Sequence, residues 1–416
     1  MSSLPTSSSS SSMSEALVRL PEGVPGAVRV VLGLLGRLPH GTLELQMPDG
    51  QQARFGDGRA PRAALRLRDW SVCEAVLKSG DIGFAEAYIE GHWTTPDLPA
   101  LLRLCLVNRD HLERVVYGSW WGSAWARIRH LLNRNSRSGS RRNIHAHYDL
   151  GNEFYRLWLD PTMNYSSAWF EGRPDGDLSQ AQDAKVRRAL DAAQVQRGDR
   201  VLEIGCGWGA VAQAAACERG AHLTGVTLST EQLAWAQDRL ARAGGTHLAD
   251  LRLQDYRDID DEPFDAIVSI EMFEAVGREY WDTYFRSVRR LLKPGGRACI
   301  QSITIRDDLF DRYARSTDFI QQYVFPGGLL PSPHEFRLAA TRAGLEVTES
   351  FAFGRDYAET LRRWRTAFHA RRQEVGALGF DERFMRIWDF YLAYCEAAFD
   401  SGNTDVVQFT LRRPAD

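Results

Sequence analysis

From about residue 183 the chain alternates short apolar runs with helical stretches, and this alternation restricts the fold more than any other feature. Asp199–Gly205 (DRVLEIG), His222–Leu228 (HLTGVTL), Ala249–Asp255, Asp265–Glu271 and Arg297–Ile305 read as strands. Ala210–Gly220, Ser229–Gly245 and Tyr280–Gly296 read as the helices between them, with Ser229 and Gln232 at capping-box spacing. Such alternation predicts a parallel sheet covered by helices on both faces. Two more strands, Gly344–Gly354 and Val406–Pro414, flank helical stretches within residues 359–400. The predicted class is α/β.

At 416 residues the chain exceeds what one core usually serves, so a second domain is expected. Residues 17–126 supply a smaller α+β module. GTLELQMPDGQQARFG alternates on both sides of Pro48-Asp49-Gly50, a hairpin signal, and AALRLRDW gives another strand. Ser71 with Glu74 predicts a capping box opening a helix, stopped at Ser79-Gly80. Residues 1–16 are a serine-rich tail with too little apolar surface to order. Residues 127–143 form a basic linker carrying six arginines and no acid. It reads either as a solvated connection or as a patch that meets lipid phosphates. Net charge is −3, which leaves no extended basic surface for nucleic acid.

Val24–Leu38 is the most apolar segment near the start, yet arginines and glycines interrupt it and it is too short to cross a bilayer. No secretory signal is visible. The six cysteines show no metal-like spacing, so they are expected to be reduced thiols in the cytoplasm, with no metal site.

VLEIGCGWGA places Gly205, Gly207 and Gly209 at the end of the first sheet strand, where ligands of open α/β sheets bind. A nicotinamide dinucleotide fold wants G-x-G-x-x-G and an acid about twenty residues on. Here the spacing is G-x-G-x-G and the next strand ends in Val226-Thr227, which disfavours redox chemistry. With GVTLSTEQ and LKPGG, the pattern fits an S-adenosylmethionine-dependent methyltransferase sheet of Rossmann-like type.

His147–Phe170 (HYDLGNEFYRLWLDPTMNYSSAWF) precedes that sheet and belongs to no generic methyltransferase. With LEIGCGWG, LQDYRD, MFEAVG, YVFPGGLLPSP, GRDYAETL and YCEAAF it resembles the cyclopropane-fatty-acyl-phospholipid synthase family, which includes the mycolic acid cyclopropane synthases. The similarity covers about residues 144–413, so residues 144–416 are the expected catalytic domain, with helical insertions. The resemblance implies that a cis double bond of a phospholipid acyl chain attacks the methyl of S-adenosylmethionine, and that a bound bicarbonate ion takes a proton as the ring closes.

By the same resemblance Glu274 accepts a hydrogen bond from the bicarbonate, Tyr357 donates its phenolic proton, and the amides of Ser167 and Ile303 complete the contacts. Gln301 stands where the best-known bacterial members have histidine, and Ser167 where they have cysteine. Glutamine keeps an amide donor but cannot carry a charge. Cys395 matches a cysteine once suspected as a nucleophile; nothing near it in sequence would lower its pKa, so it reads as pocket lining. Glu271 reads as a residue that orients the loop or reaches the cofactor's amino group. The cofactor residues carried over are Tyr165, Ser166, Glu203, Gly205, Cys206, Gly207, Trp208, Gly209, Thr227, Leu228, Ser229, Gln232, Asp255 and Tyr256. Tyr323, Phe325 and Pro326 are expected to touch the acyl chain.

The implied partner is unsaturated phospholipid, met by a homodimer working peripherally at the inner face of the membrane. The N-terminal module would serve lipid docking or dimerisation. A fatty-acyl C-methyltransferase giving a methylene or methyl branch is the alternative, because Gln301 changes control of the base. A lipid-binding scaffold with a vestigial fold is the non-catalytic alternative.

Overall fold

The computed structural model describes residues 24–116 and 150–415. The serine-rich tail, the basic linker and His147 lie outside the described residues. The chain opens with helix α1 (Gly26–Leu35) and a four-stranded sheet in the order β2-β1-β3-β4. β1 (Thr42–Gln46) and β2 (Gln52–Gly56) form the expected hairpin, and β3 (Arg62–Leu67) runs parallel to β1. β4 is Trp93–Thr94.

Helix α2 runs Ser71–Ile89, past the stop expected at Gly80. Gly80 instead makes a kink, with φ 61° and ψ −131°, a conformation that only glycine adopts cheaply. The predicted capping box is absent as well: Ser71 sits inside the first turn, where its N–H donates to Asp69 Oδ1 and its hydroxyl meets His92. Helices α3 (Leu98–Val107) and α4 (Arg109–Val116) complete the module.

The second sheet has seven strands in the order β10-β11-β9-β8-β5-β6-β7. β5 (Arg200–Ile204), β6 (His222–Thr227), β7 (Ala249–Leu253), β8 (Phe264–Ile270) and β9 (Leu292–Ile305) are parallel. β10 (Glu346–Ala352) and β11 (Thr404–Arg412) add an antiparallel edge. Chain order runs outward from β5 in both directions, so the switch point lies between β5 and β8, where α/β sheets bind ligands.

The helices needed for the site are α5 (Asn152–Arg156), α6 (Leu178–Ala192), α7 (Ala210–Gln213, continued by a π turn over Ala214–Glu218), α8 (Thr230–Ala243) and α9 (Trp281–Leu291). Beyond β9 follow α10 (Asp307–Tyr313), α11 (Phe319–Tyr323), α12 (Pro333–Arg342), α13 (Gly354–Ala370), α14 (Arg372–Ala377) and α15 (Glu382–Asp400). One apolar cluster runs from the N-terminal module through α5 and α13 to α15. Tyr88 of α2 donates to Asp389 of α15 at 2.6 Å, an anchor across the two parts. Among the described residues no helix is long and apolar enough to cross a membrane.

Candidate active site

The strand ends of β5, β6 and β8 open into a pocket lined by the glycine loop. Gly205 and Gly207 have φ of 86° and 48°, and the amides of Gly205 and Cys206 both donate to Val226 O, which folds the loop over the sheet edge. A Cβ on Gly205 would lie 2.9 Å from Met272, whereas one on Gly207 would meet no protein atom within 4 Å. The loop thus leaves open room beside backbone N–H groups.

Of the predicted cofactor residues, Tyr165, Ser166, Glu203, Cys206, Trp208, Thr227, Leu228, Gln232, Asp255 and Tyr256 line this pocket with Gly205 and Gly207. Gly209 and Ser229 stand behind it. Gly209 (φ 83°) packs on Ala236, and Ser229 accepts from Gln232 N as the N-cap of α8. The reciprocal half of that capping box is missing, because Gln232 Oε1 accepts instead from Thr227 Oγ1 at 3.1 Å. Glu203 is buried, and one of its oxygens, Oε2, has no hydrogen-bond partner. Burial pushes its carboxyl well above the usual range. Asp255 is clamped by Arg257 in a buried pair at 2.5 Å.

Behind Ser166 lies a residue that sequence reading passed over. Lys185 of α6 is fully buried and donates to Ser166 Oγ at 2.5 Å. Burial pushes its ammonium down to about 8, opposed by the charge of Glu271. A signal for it existed: Leu178, Ala181, Gln182, Lys185, Ala189 fall at helical spacing on one inward stripe.

The most consequential difference concerns the two carboxylates. Ser167 N donates to Glu271 Oε1 at 2.8 Å, Gln301 Nε2 donates to the same oxygen at 2.7 Å, and the Tyr357 hydroxyl donates to Oε2 at 2.7 Å. Glu271, not Glu274, is where these three residues converge. Its backbone is left-handed, φ 49°, at the bend after β8, a conformation disfavoured for any residue with a Cβ. Burial raises its carboxyl, while Tyr357, Ser167, Lys185 and Gln301 pull the other way.

Glu274 sits one 3₁₀ turn further on and accepts from Ile303 N. Its Oε2 is buried without a partner. Burial, then the charge of Glu271, pushes its carboxyl up to about 8, against the pull of the Ile303 amide. Of the donors that the resemblance assigned to a bicarbonate, only the Ile303 amide is left to Glu274, and the rest are held by Glu271. A carboxylate that already fills these donors leaves a further anion without them. The residues present therefore do not fit bicarbonate at this position, because Glu271 takes its donors.

Aromatic side chains wall the site. Tyr165 and Tyr391 share a hydrogen bond between hydroxyls at 2.8 Å, and Tyr165 packs against Trp364 and Trp158 at centroid distances of 5.6 and 5.5 Å. Phe325 lies edge-on to Tyr391. Tyr323 instead stacks on Phe319 and gives its hydroxyl to Glu86 of α2, which ties it to the N-terminal module. Pro326 follows in the same turn. Cys395 of α15 is packed near Tyr391, and burial drives its thiol far above the range in which it ionises.

A glycine-lined pocket at the switch point of this sheet, backed by an orphaned buried carboxylate, defines an S-adenosylmethionine-dependent methyltransferase. Comparison with known proteins narrows the class. A family profile described as mycolic acid cyclopropane synthetase matches residues 135–409. The chain belongs to that family. It is 40% identical over 409 residues to tuberculostearic acid methyltransferase UfaA1 of Mycobacterium tuberculosis, covering 96% of this chain and 95% of that protein. It is 35% identical over 359 residues to the cyclopropane-fatty-acyl-phospholipid synthase of Escherichia coli, covering 86% of this chain and 89% of that one. Among solved structures, mycolic acid cyclopropane synthase CmaA1, described as complexed with SAH and CTAB, superposes with a TM-score of 0.61 at 35% identity, over 66% of this chain and 98% of that one. The protein is an S-adenosylmethionine-dependent methyltransferase of the cyclopropane synthase family.

Proposed function

We propose that this enzyme methylates a cis double bond in an acyl chain of membrane phospholipid, that Glu271 is the base, and that the product carries a methylene branch. The convergence of Ser167, Gln301 and Tyr357 on one protein carboxylate carries this reading. When bound, S-adenosylmethionine supplies an electrophilic methyl group. Glu203, with its orphaned oxygen, would take the ammonium of the cofactor, and the glycine loop would pass close to its backbone. The ring of Tyr165 would face positive charge, first of the sulfonium and then of the alkyl cation.

Attack by the alkene forms a C–C bond as the sulfur–methyl bond breaks with its electron pair on sulfur, leaving a cation on the neighbouring carbon. Glu271 then accepts one proton from the transferred methyl. Immediate removal with C–C closure gives a cyclopropane. If a hydride first moves from the methylated carbon to the cationic one, the same proton loss leaves a methylene branch. Three donors on Glu271 lower its basicity, and a slower base gives the hydride time to shift. The name of the 40%-identical relative, a methyltransferase, supports the same outcome.

Cyclopropane formation is the second reading, favoured by the family's description and the Escherichia coli relative. Phe325 and Pro326 would contact the acyl chain. The N-terminal module would dock the enzyme on the inner face of the membrane or pair two copies.

The test is to incubate the protein with S-adenosylmethionine and dioleoyl phospholipid vesicles in carbonate-free buffer, then weigh the released acyl chains by mass spectrometry before and after hydrogenation. A product heavier by one CH2 that takes up hydrogen supports the methylene branch; one that resists hydrogenation selects the ring. Turnover by Glu271→Gln at the wild-type rate would overturn the base assignment.

A further inference from the structure

A line of hydrogen bonds leads from Glu271 to the protein surface through two buried glutamines. Gln301 of β9 and Gln408 of β11 are register partners across the antiparallel pair, and both are fully buried. Gln301 Nε2 donates to Glu271 Oε1 at 2.7 Å, and Gln408 Nε2 donates to Gln301 Oε1 at 3.0 Å. Arg188 of α6 donates through Nη1 to Gln408 Oε1 at 2.7 Å. Its other nitrogen, Nη2, donates to Glu349 of β10 at 2.8 Å, at the exposed end of the line. The guanidinium lies 3.6 Å from the ring centre of Phe351, which holds it flat.

We infer that Arg188 and Gln408 are positioning residues, which fix the direction of this line so that Gln301 presents N–H, and never C=O, to Glu271. This inference rests on Glu271 being the base. An amide side chain can face either way, but a guanidinium can only donate. Arg188 therefore selects the oxygen of Gln408. The amide nitrogen of Gln408 is selected a second time by Lys185 O, an acceptor only, at 3.2 Å. Gln301 must then turn its oxygen to Gln408 and its nitrogen to Glu271. The opposite direction would set a carbonyl oxygen against the carboxylate and drive it toward its protonated form, which cannot accept a proton.

Glutamine at position 301 is thus a donor whose orientation is imposed from the surface. The other groups facing Glu271 are Tyr357, the Ser167 amide, Lys185 and Glu274, and none of them bonds to the Gln301 side chain.

The test reads Glu271 directly, by following the carboxyl infrared band that Glu271→Gln removes through a pH titration of the full chain. Gln408→Met keeps the size of the side chain and the charge of Arg188 but severs the line. The titration midpoint is expected to rise by about one pH unit, the tenfold change typical of losing a hydrogen bond to a charged group. Arg188→Gln, which leaves the direction of the line to Lys185 O alone, should raise it by a smaller amount, and carries the test if Gln408→Met fails to fold. Arg188→Lys, still a pure donor, should leave the midpoint near that of the wild type. An unmoved midpoint in a folded Gln408→Met, or in Arg188→Gln where that variant carries the test, overturns the inference. Lipid methylation retained by Glu271→Gln would instead overturn the base assignment beneath it.

Discussion

The hydroxyl of Tyr357 donates to Glu271 Oε2 at 2.7 Å, while Ser167 N and Gln301 Nε2 share the other oxygen of the same carboxylate. Burial and the charge of Glu271 hold the phenol well above its ordinary range, so Tyr357 stays a donor throughout the working pH range. Tyr357→Phe removes a hydrogen bond to a charged group and keeps the ring packed against Phe399 at 4.5 Å. Turnover at neutral pH is expected to fall about 10–100-fold, in line with ~1.5–3 kcal/mol for such a bond. The acid limb of the rate profile should move to higher pH, because Glu271 would bind its proton more tightly. Cofactor affinity, read by calorimetry, should not change.

Glu271→Gly separates chemistry from folding at one position. The left-handed backbone costs a side-chain-bearing residue about 1–2 kcal/mol, and glycine relieves that while adding freedom to the unfolded chain. The melting temperature should stay within a few degrees of wild type. Turnover should vanish in carbonate-free buffer. The substitution frees Ser167 N, Gln301 Nε2 and the Tyr357 hydroxyl together, three donors around a space of carboxylate size. Added formate or bicarbonate should therefore restore part of the rate, saturably. Full activity of the variant without any added anion would contradict the assignment.

These two positions show where the sequence was sufficient and where it was not. The sheet strands, the glycine loop and most of the pocket lining follow from periodicity and motif, because short apolar runs recur between amphipathic helices and the glycines follow the first of them. Glu271 and Glu274 lie three residues apart at a bend, where neither strand nor helix period applies, so spacing could not say which one faces Tyr357. A left-handed turn at Glu271 settles it. Lys185 was legible on the inward stripe of α6, but a lone lysine in a helix carries no motif that singles it out. The helix stop read at Gly80 failed for the opposite reason: tertiary packing carried the helix through the kink, with Gly83 close against Ala75.

Glu274 offers a test in which a conservative change does little. Its carboxyl is pushed up to about 8, so at pH 7 it is chiefly protonated. Glu274→Gln resembles that form, and turnover at pH 7 is expected within about threefold of wild type, less than 1 kcal/mol. Between the ordinary carboxylate value and about 8 the folded chain binds a proton that the unfolded chain has released, so wild-type stability declines as pH rises across that window. The variant lacks the group and should lose less stability over the same range. Denaturant melts at pH 5 and pH 8 measure the difference; parallel losses in both proteins would mean that Glu274 is ionised at neutral pH.

Cys395→Ala should retain most turnover. The thiol is driven up by burial, with Asp318 adding to the shift, so it is no nucleophile at working pH. Loss of more than about tenfold, roughly 1.4 kcal/mol, without loss of cofactor binding would give the sulfur a chemical role.

Lys185→Met should trade activity for stability. Holding the ammonium of Lys185 away from water lowers it from 10.5 to about 8, which corresponds to about 3 kcal/mol of cost to the folded state at neutral pH. Methionine fills a similar space with no charge, so the variant should unfold at higher denaturant. The gain has a pH signature. From about 8 upward to the ordinary lysine value the unfolded chain holds the proton and the folded chain does not, so wild-type stability rises with pH there and closes the gap to the variant. Activity should move the other way. Lys185 grips Ser166 Oγ, next to the Ser167 amide that holds Glu271, and its charge favours the ionised base. Turnover should therefore fall at neutral pH and recover partly as pH rises, with the melting curve and the rate profile measured on the same preparation. A variant that is both less stable and fully active would show that the buried ammonium serves the fold alone.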